Sequence, residues 1–372
     1  MHLARRAWCR TYQTVFRIAL PILPYTEPRI LEHAEDVPAV LQKRSIQKVL
    51  IVTDPGIARL GLTASLERAL TAQGIGVTVY AETRANPTVS NVEEAASLYR
   101  ESDCQAIIGF GGGSAMDCAK GVGARIAQPN KPINKMRGLM RVHRLLPLLI
   151  AVPTTAGTGS EVTLAAVITD DETHYKYPIN DFVLIPRFAV HDPEFTRGLP
   201  ASITGQTGMD ALTHAVEAFI GRSTTPYTRN KAGVAFTRSY VGYVHAIAHS
   251  LGGRYGIPHG LANAIILPHM LRAYGDAAAP KLADLARMAG IAPANAQDSL
   301  AAEAFIDWVD RMNAALGIPK YVTGIRRSDI PQMAAHADAE ANPLYPVPLL
   351  MDRLELERMY EVVAGGMFED EN

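Results

Sequence analysis

The sequence predicts an α/β N-terminal domain built on a parallel sheet, followed by an all-α C-terminal domain. Strand-type and helix-type segments alternate from about residue 46, and glycine-rich loops follow two of the strands. β-Branched runs become rare after about residue 197. We therefore predict one domain over residues 1–197, beginning with an N-terminal arm over residues 1–27, and a second domain over residues 198–372.

The strands predicted for the N-terminal domain are KVLIVTD (48–54), GVTVYAE (76–82), CQAIIGFG (104–111) and LLIAVPT (148–154). Helical stretches lie between them, one ending near Gly74 and the others over residues 92–103 and 115–127. Strands that alternate with helices in this way form parallel sheets with helices on both faces.

The C-terminal domain is predicted to be helical because its apolar residues recur at a helical period. The segments that show this period are MDALTHAVEAFI, YVHAIAH, KLADLARMAG and LAAEAFIDWVDRMNAALG.

The composition excludes several classes of protein. The formal net charge is −1 over 372 residues, without a basic stripe or an acidic tail. Neither nucleic acid nor an anionic membrane is therefore an expected partner. No apolar run reaches the roughly 18 residues of a membrane span. The 3 cysteines form no C-x-x-C pair, which indicates reduced thiols in a reducing compartment.

Residues 1–26 contain arginines and no acidic residue. Mitochondrial presequences have this composition, and so do amphipathic arms of cytoplasmic proteins. We favour the second interpretation and expect a cytoplasmic protein.

Two loops indicate a nucleotide site. The strand IIGF runs into GFGGGSAMD (109–117), and PTTAGTGSE (153–161) follows another buried strand. Glycines let a backbone approach a phosphate, and a helix N-terminus offers free N–H groups. Parallel strands would bring both loops to one edge of the sheet, which predicts a dinucleotide-binding domain. Tight turns and polar ST-turns are the alternative interpretations.

Asp54 ends the first strong strand. A carboxylate at this position can bind the ribose hydroxyls and repel a 2′-phosphate, which favours NAD over NADP. A turn aspartate before Pro55 and Gly56 is the alternative.

Histidines cluster in the helical half. Asp210 and His214 are four residues apart, His245 and His249 are four apart, and His259 follows in a turn. Two such pairs on facing helices can converge on one cation. A set of one carboxylate and several imidazoles suits Fe²⁺ or Zn²⁺ rather than Mg²⁺ or Ca²⁺. A surface salt bridge and satisfied core histidines are the alternatives.

These segments together resemble the iron-containing (type III) alcohol dehydrogenase family. The resemblance rests on VTDPGI, NPT (86–88), GFGGGSAMDCAK, PTTAGTGSE, GMDALTHAVEA and YVHAIAHSLGG followed by PHG, in the family's order. It covers nearly the whole chain from about Pro28.

The resemblance implies a set of functional residues. The metal ligands would be Asp210, His214, His245 and His259, and His249 would be an extra active-site histidine. Gly112, Gly113 and Ser114 match pyrophosphate-binding positions, and the other positions that match cofactor contacts are Asp54, Asn86, Thr154, Thr155, Thr158, Thr163 and Lys176.

The activity implied is NAD-dependent oxidation of a small alcohol to its aldehyde or ketone, and the reverse, by a homodimer. The metal, Fe²⁺ or alternatively Zn²⁺, would act as a Lewis acid on the substrate oxygen. Hydride would pass to the nicotinamide, and we expect His249 to relay the proton to solvent.

The chain departs from the family between His214 and His245, where only 30 residues lie. It is shorter than family members there by about one helical hairpin, roughly thirty residues. Two alternatives stand beside the active enzyme, and the short stretch favours the first of them. One is an inactive or impaired paralogue that binds dinucleotide and has lost the metal site. The other is a relative on the same architecture, such as a zinc glycerol dehydrogenase or a 3-dehydroquinate synthase.

Overall fold

The structure is a computed structural model that describes residues 1–19, 25–223 and 240–369. The chain divides into two compact units. One spans Pro24–Pro200, and the other combines Met1–Leu23 with Ala201–Asn372. The stretch predicted to lack a helical hairpin includes residues 224–239, which lie outside the described residues.

The strands of the described residues all lie in the first unit. They are β1 (Arg29–Leu31), β2 (Lys48–Val52), β3 (Gly76–Tyr80), β4 (Ala106–Gly111), β5 (Gly138–Leu139), β6 (Leu148–Pro153), β7 (Ala165–Thr169), β8 (Lys176–Asn180) and β9 (Phe188–Val190).

The α-helices of the described residues are numbered in chain order. They are α1 (Leu3–Ala19), α2 (Val37–Gln42), α3 (Pro55–Arg59), α4 (Ala64–Ala72), α5 (Val89–Glu101), α6 (Gly113–Ala127), α7 (Glu194–Arg197), α8 (Ala201–Ile220), α9 (Tyr243–Tyr255), α10 (His259–Tyr274), α11 (Ala279–Met288), α12 (Asp298–Ala315), α13 (Ile330–Ala341) and α14 (Arg353–Val363).

A parallel sheet of six strands forms the centre of the first unit, in the order β1-β9-β6-β4-β2-β3. Alternate residues of β2 point to opposite faces of this sheet. Leu50 packs in one apolar cluster with Val92 of α5, whereas Val49 packs in another with Leu66 of α4. Both faces are therefore covered by helices, which confirms the predicted α/β fold class.

A second, smaller sheet follows the order β5-β8-β7. β7 pairs with β8 in antiparallel register, with Thr169 opposite Lys176. The sequence analysis did not predict these strands, although it singled out Lys176. The small sheet places that lysine at the start of β8, where its side chain is buried.

Helices α9 and α10 form the core of the second unit. Every residue of α9 from Tyr243 to Gly252 is buried, and α10 is buried from Ala262 to Leu271. α9 packs on α10 and α13, and α10 packs on α8 and α12. A helix that is buried on all sides needs no polar face, which explains why the sequence of this region is rich in apolar residues. The predicted all-α character is confirmed for the described residues.

Helix α1 belongs to the second unit. Its Cys9 and Gln13 are buried, and Cys9 packs in the same apolar cluster as α9 and α10. The sequence analysis expected these residues as an arm in front of the N-terminal domain. Among the described helices, none has an apolar stretch of the length needed to cross a bilayer.

Candidate metal centre and nucleotide site

Asp210, His214, His245 and His259 come together within the helical unit. Each offers one potential ligand atom, and these atoms all lie within 4.8 Å of one another. Asp210 and His214 both lie on α8, four residues apart, so their side chains share one face of the helix. Three helices thus bring together the four side chains that the resemblance implies as ligands, with His259 rather than His249 in the set.

Close packing of α8 and α10 brings His259 to Asp210. His259 is the first residue of α10, and its Nε2 lies 3.8 Å from Asp210 Oδ1. The next residue is Gly260, where an added Cβ would stand 2.7 Å from the carbonyl oxygen of Gln206. Only a glycine allows the two helices to approach this closely without a shift.

Asn263 marks the point on which the acceptor atoms converge. Its Nδ2 donates to Asp210 Oδ1 at 2.6 Å and lies 3.1 Å from His245 Nε2 and 3.2 Å from His259 Nε2. One carboxylate oxygen and two imidazole nitrogens thus surround the amide nitrogen of Asn263, which is itself buried. A divalent cation is the group that such a donor set of imidazoles and one carboxylate suits, so these residues fit a transition-metal ion.

Glu217 orients His245 from the side away from Asp210. Its Oε2 lies 2.6 Å from His245 Nδ1, and the backbone N–H groups of Gly242 and Val244 donate to its two oxygens at 2.9 Å. Burial raises the pKa of Glu217 to about 7, against the lowering effect of these hydrogen bonds. A carboxylate on Nδ1 leaves Nε2 of the imidazole for the metal, as in many zinc and iron sites.

His249 lies beside the four potential metal ligands. Its ring stacks on that of His259 with centroids 5.1 Å apart. Its Nδ1 lies 2.7 Å from Glu340 Oε1, and the hydroxyl of Tyr345 donates to the same oxygen at 2.7 Å. His249 is therefore a buried neighbour of the cluster with a carboxylate partner of its own.

The two loops of the first unit meet, as the sequence predicted. They follow β4 and β6, which are neighbours in the sheet. The backbone N–H of Thr154 donates to Gly111 at 2.9 Å. A Cβ added to Gly113 would stand 3.2 Å from Thr158, and one added to Gly112 would stand 3.5 Å from Thr155. The glycines thus let the second loop pack closely against the N-terminus of α6.

Asn86, Ser114 and Lys176 are also brought together. The backbone N–H of Asn86 donates to Ser114 Oγ at 3.3 Å, and Lys176 Nζ donates to Asn86 Oδ1 at 2.7 Å. Asn86 adopts a left-handed backbone conformation with φ of 74°, which asparagine tolerates better than most residues. Three positions that are far apart in the sequence therefore form one polar group.

Asp54 caps α3. Its Oδ1 accepts the N–H groups of Gly56 and Ile57 at 2.8 and 3.0 Å. Its Oδ2 lies 3.4 Å from where a Cβ on Gly111 would be. Oδ1 thus has the role expected of a turn aspartate, while Oδ2 lies against the glycine-rich loop.

Lys120 is a buried organiser of the second loop that the sequence analysis missed. It is 0% exposed and donates to Ser160 Oγ, to the hydroxyl and carbonyl of Thr163 and to the carbonyl of Ala165 at 2.7–3.1 Å. Burial lowers its pKa from 10.5 to about 8, while Asp117 acts in the opposite direction. The side chain and the carbonyl of Thr163 are thus bonded to this lysine. Lys120 is the last residue of the motif GFGGGSAMDCAK, which was the one feature of the sequence that could have identified it.

Comparison with known proteins finds relatives over most of the chain. The family "Iron-containing alcohol dehydrogenase" matches residues 30–193, and "Fe-containing alcohol dehydrogenase family, C-terminal" matches residues 227–362. Alcohol dehydrogenase 4 of Schizosaccharomyces pombe is 35% identical over 348 residues, which cover 82% of this chain and 81% of that protein. NAD-dependent methanol dehydrogenase of Bacillus methanolicus is 31% identical over 339 residues, 82% of this chain and 89% of that protein.

A solved structure has a similar fold. The crystal structure of 1,3-propanediol oxidoreductase superposes on this chain with a TM-score of 0.83 and 32% identity, covering 91% of this chain and 99% of that chain.

Proposed function

Because this chain belongs to the iron-containing alcohol dehydrogenase family, we propose that it interconverts a small alcohol and its aldehyde or ketone, with NAD and one divalent metal ion. Its relatives are oxidoreductases of the alcohol dehydrogenase type. The observation that carries the metal part of the proposal is the convergence of four potential ligand atoms within 4.8 Å.

In the proposal, Asp210, His214, His245 and His259 hold the ion. Bound there, it would supply Lewis-acid polarisation of the substrate oxygen. Glu217 keeps His245 in the tautomer that presents Nε2, and Asn263 donates to Asp210 from within the cluster. The set accepts iron or zinc, with iron favoured by the family. The convergence of the ligands argues against a paralogue that has lost the site.

NAD binding is proposed for the first unit, where the cofactor would supply the hydride acceptor. Backbone N–H groups at Gly112, Gly113 and Ser114 would bind the pyrophosphate at the N-terminus of α6. The remaining contacts are assigned to Asp54, Asn86, Thr154, Thr155, Thr158, Thr163 and Lys176. Thr155 supports this assignment, because its buried hydroxyl has no hydrogen-bond partner in the part of the chain that the structure describes.

His249 is proposed as the group that passes a proton between the substrate oxygen and solvent. It is 5% exposed and its ring stacks on that of His259, so it lies next to the proposed metal. A neutral imidazole can accept a proton near pH 7. A cytoplasmic location and a homodimeric assembly stay predictions.

The test is a substrate screen on protein purified without oxygen and loaded with iron or zinc. Small primary alcohols, diols and their aldehydes are offered with NAD(H) and with NADP(H). We expect NAD-dependent turnover that is lost in His259→Ala and kept in His33→Ala, which replaces an exposed histidine of the other unit. Metal-loaded, folded protein without turnover on the whole panel would contradict the proposal.

A further inference from the structure

Three buried side chains form a chain that leads away from the proposed metal site. His249 Nδ1 and the Tyr345 hydroxyl both lie 2.7 Å from Oε1 of Glu340. His249 is 5% exposed, Tyr345 is 4% exposed and Glu340 is 8% exposed. Glu340 lies on α13, and Tyr345 follows it after the end of that helix. The sequence analysis identified only the histidine.

The donors and acceptors of this chain fix the protonation of the ring. A carboxylate can only accept hydrogen bonds, so both groups that meet Oε1 must donate. Tyr345 donates its O–H, and His249 donates Nδ1–H. A neutral imidazole has one proton, so its Nε2 is then the acceptor.

We propose that Glu340, supported by Tyr345, is a positioning residue that holds His249 with its proton on Nδ1 and with Nε2 free to exchange a proton with the substrate oxygen. This inference rests on the proposed function of His249. Glu340 touches neither substrate nor cofactor in it. It acts by selecting one tautomer and one orientation of the ring, as the buried aspartate does in serine proteases.

Helix α1 fixes the segment that carries Tyr345. Gln13 Nε2 donates to the carbonyls of Tyr345 at 2.7 Å and Pro343 at 3.2 Å. Arg10 donates to the carbonyls of Val347 and Pro348 at 2.8 and 2.9 Å. These bonds hold the backbone on both sides of the tyrosine, so its hydroxyl is presented to Glu340 from a fixed support.

Two variants and a matched control test the proposal. Glu340→Gln keeps the shape of the side chain but can donate to an unprotonated Nδ1, which permits the other tautomer. Tyr345→Phe removes the supporting hydroxyl. Tyr243→Phe is the control, because Tyr243 is also a buried tyrosine and its hydroxyl bonds Asn342 and Met351 near the same segment. All are measured as zinc-loaded protein, with metal content and NADH affinity determined first.

We expect kcat of Glu340→Gln to fall by about 10²-fold, the lower range for a lost acid–base contribution, with KM, metal content and NADH affinity unchanged. Tyr345→Phe should lose a smaller factor, and Tyr243→Phe should keep its kcat. Nitrogen NMR of histidine-labelled protein, with His249 assigned by a His249→Asn sample, should show a protonated Nδ1 in the wild type and a changed tautomer in Glu340→Gln.

An unchanged kcat in Glu340→Gln would overturn the proposal, and so would equal losses in all three variants. If the wild type itself shows no turnover, the proposed function fails, and the NMR result alone decides whether Glu340 sets the tautomer. A protonated Nδ1 in both proteins would then refute it.

Discussion

At the scale of single residues, the candidate metal site depends on the carboxylate of Glu217, which bonds His245 and two backbone N–H groups. We predict that Glu217→Gln weakens metal binding by about 10–100-fold, since the amide cannot satisfy all three donors. Competition with a metal-binding dye measures this affinity. Glu93→Gln is the control, because Glu93 pairs with Arg125 in the other unit. Equal affinities in folded Glu217→Gln and control would contradict this role.

The buried ammonium of Lys120 makes a pH-dependent contribution. Its pKa is lowered from 10.5 to about 8 in the folded protein, so between these values the unfolded chain binds more protons. The free energy of unfolding should therefore rise with pH across this window, by up to about 3 kcal/mol from this group. Denaturant unfolding of wild type and Lys120→Met should show a difference that grows from pH 8 to 10. The exposed Lys43→Met should track the wild type, and a constant Lys120→Met difference would refute the assignment.

The proposed site residues could be named from the sequence, whereas the residues that support them could not. Helical spacing indicated the pairs Asp210–His214 and His245–His249, and only the family resemblance put His259 in place of His249 as a ligand. Glu340 meets His249 across 91 positions, and Lys120 meets Thr163 across 43. Such pairs depend on tertiary packing, which spacing along the chain does not encode.

At the scale of elements, the approach of α10 to α8 sets the site's geometry. Gly260→Ala would place a Cβ 2.7 Å from Gln206 O, so we expect it to reduce the free energy of unfolding by about 1–3 kcal/mol and to weaken metal binding. Gly208→Ala, on α8, meets nothing within 4 Å and should stabilise the helix by about 0.5–1 kcal/mol. Thermal unfolding and metal titration of the two variants provide the measurement, and similar behaviour of both would contradict the close-approach argument.

Helix α1 should matter through its inward face. Gln13→Ala removes two bonds to the Tyr345 segment, and we expect it to cost about 1–3 kcal/mol of unfolding free energy and to lower kcat. Arg6→Ala, on the exposed side of the helix, should change stability by less than about 0.5 kcal/mol. If Gln13→Ala matches Arg6→Ala in both measurements, α1 does not support the segment.

Elements with a strong apolar pattern of their own were predictable, and those defined by partners were not. β2, β4 and β6 are continuous apolar runs, and each was predicted within a few residues of its observed bounds. β7 and β8 are short strands that exist by pairing with each other. α1 has arginines and aromatics on several sides, so its composition alone did not show which face packs against the second unit.

At the scale of the whole molecule, the two units have separate chemical tasks in our account. The helical unit gathers the proposed metal ligands and His249, and the α/β unit gathers the proposed NAD contacts. A family match over both units supports the combined activity. The four side chains converge although the stretch before His245 is predicted to be short.

The most direct test of the metal-dependent account is the metal content of the purified protein. Protein is prepared without oxygen from iron-supplemented cells, dialysed, and analysed for iron and zinc beside His245→Ala. We predict about one ion per chain in the wild type, the content of a single four-ligand site, and a large loss in the variant. A folded wild type with essentially no metal, or a variant that retains as much metal as the wild type, would contradict the account.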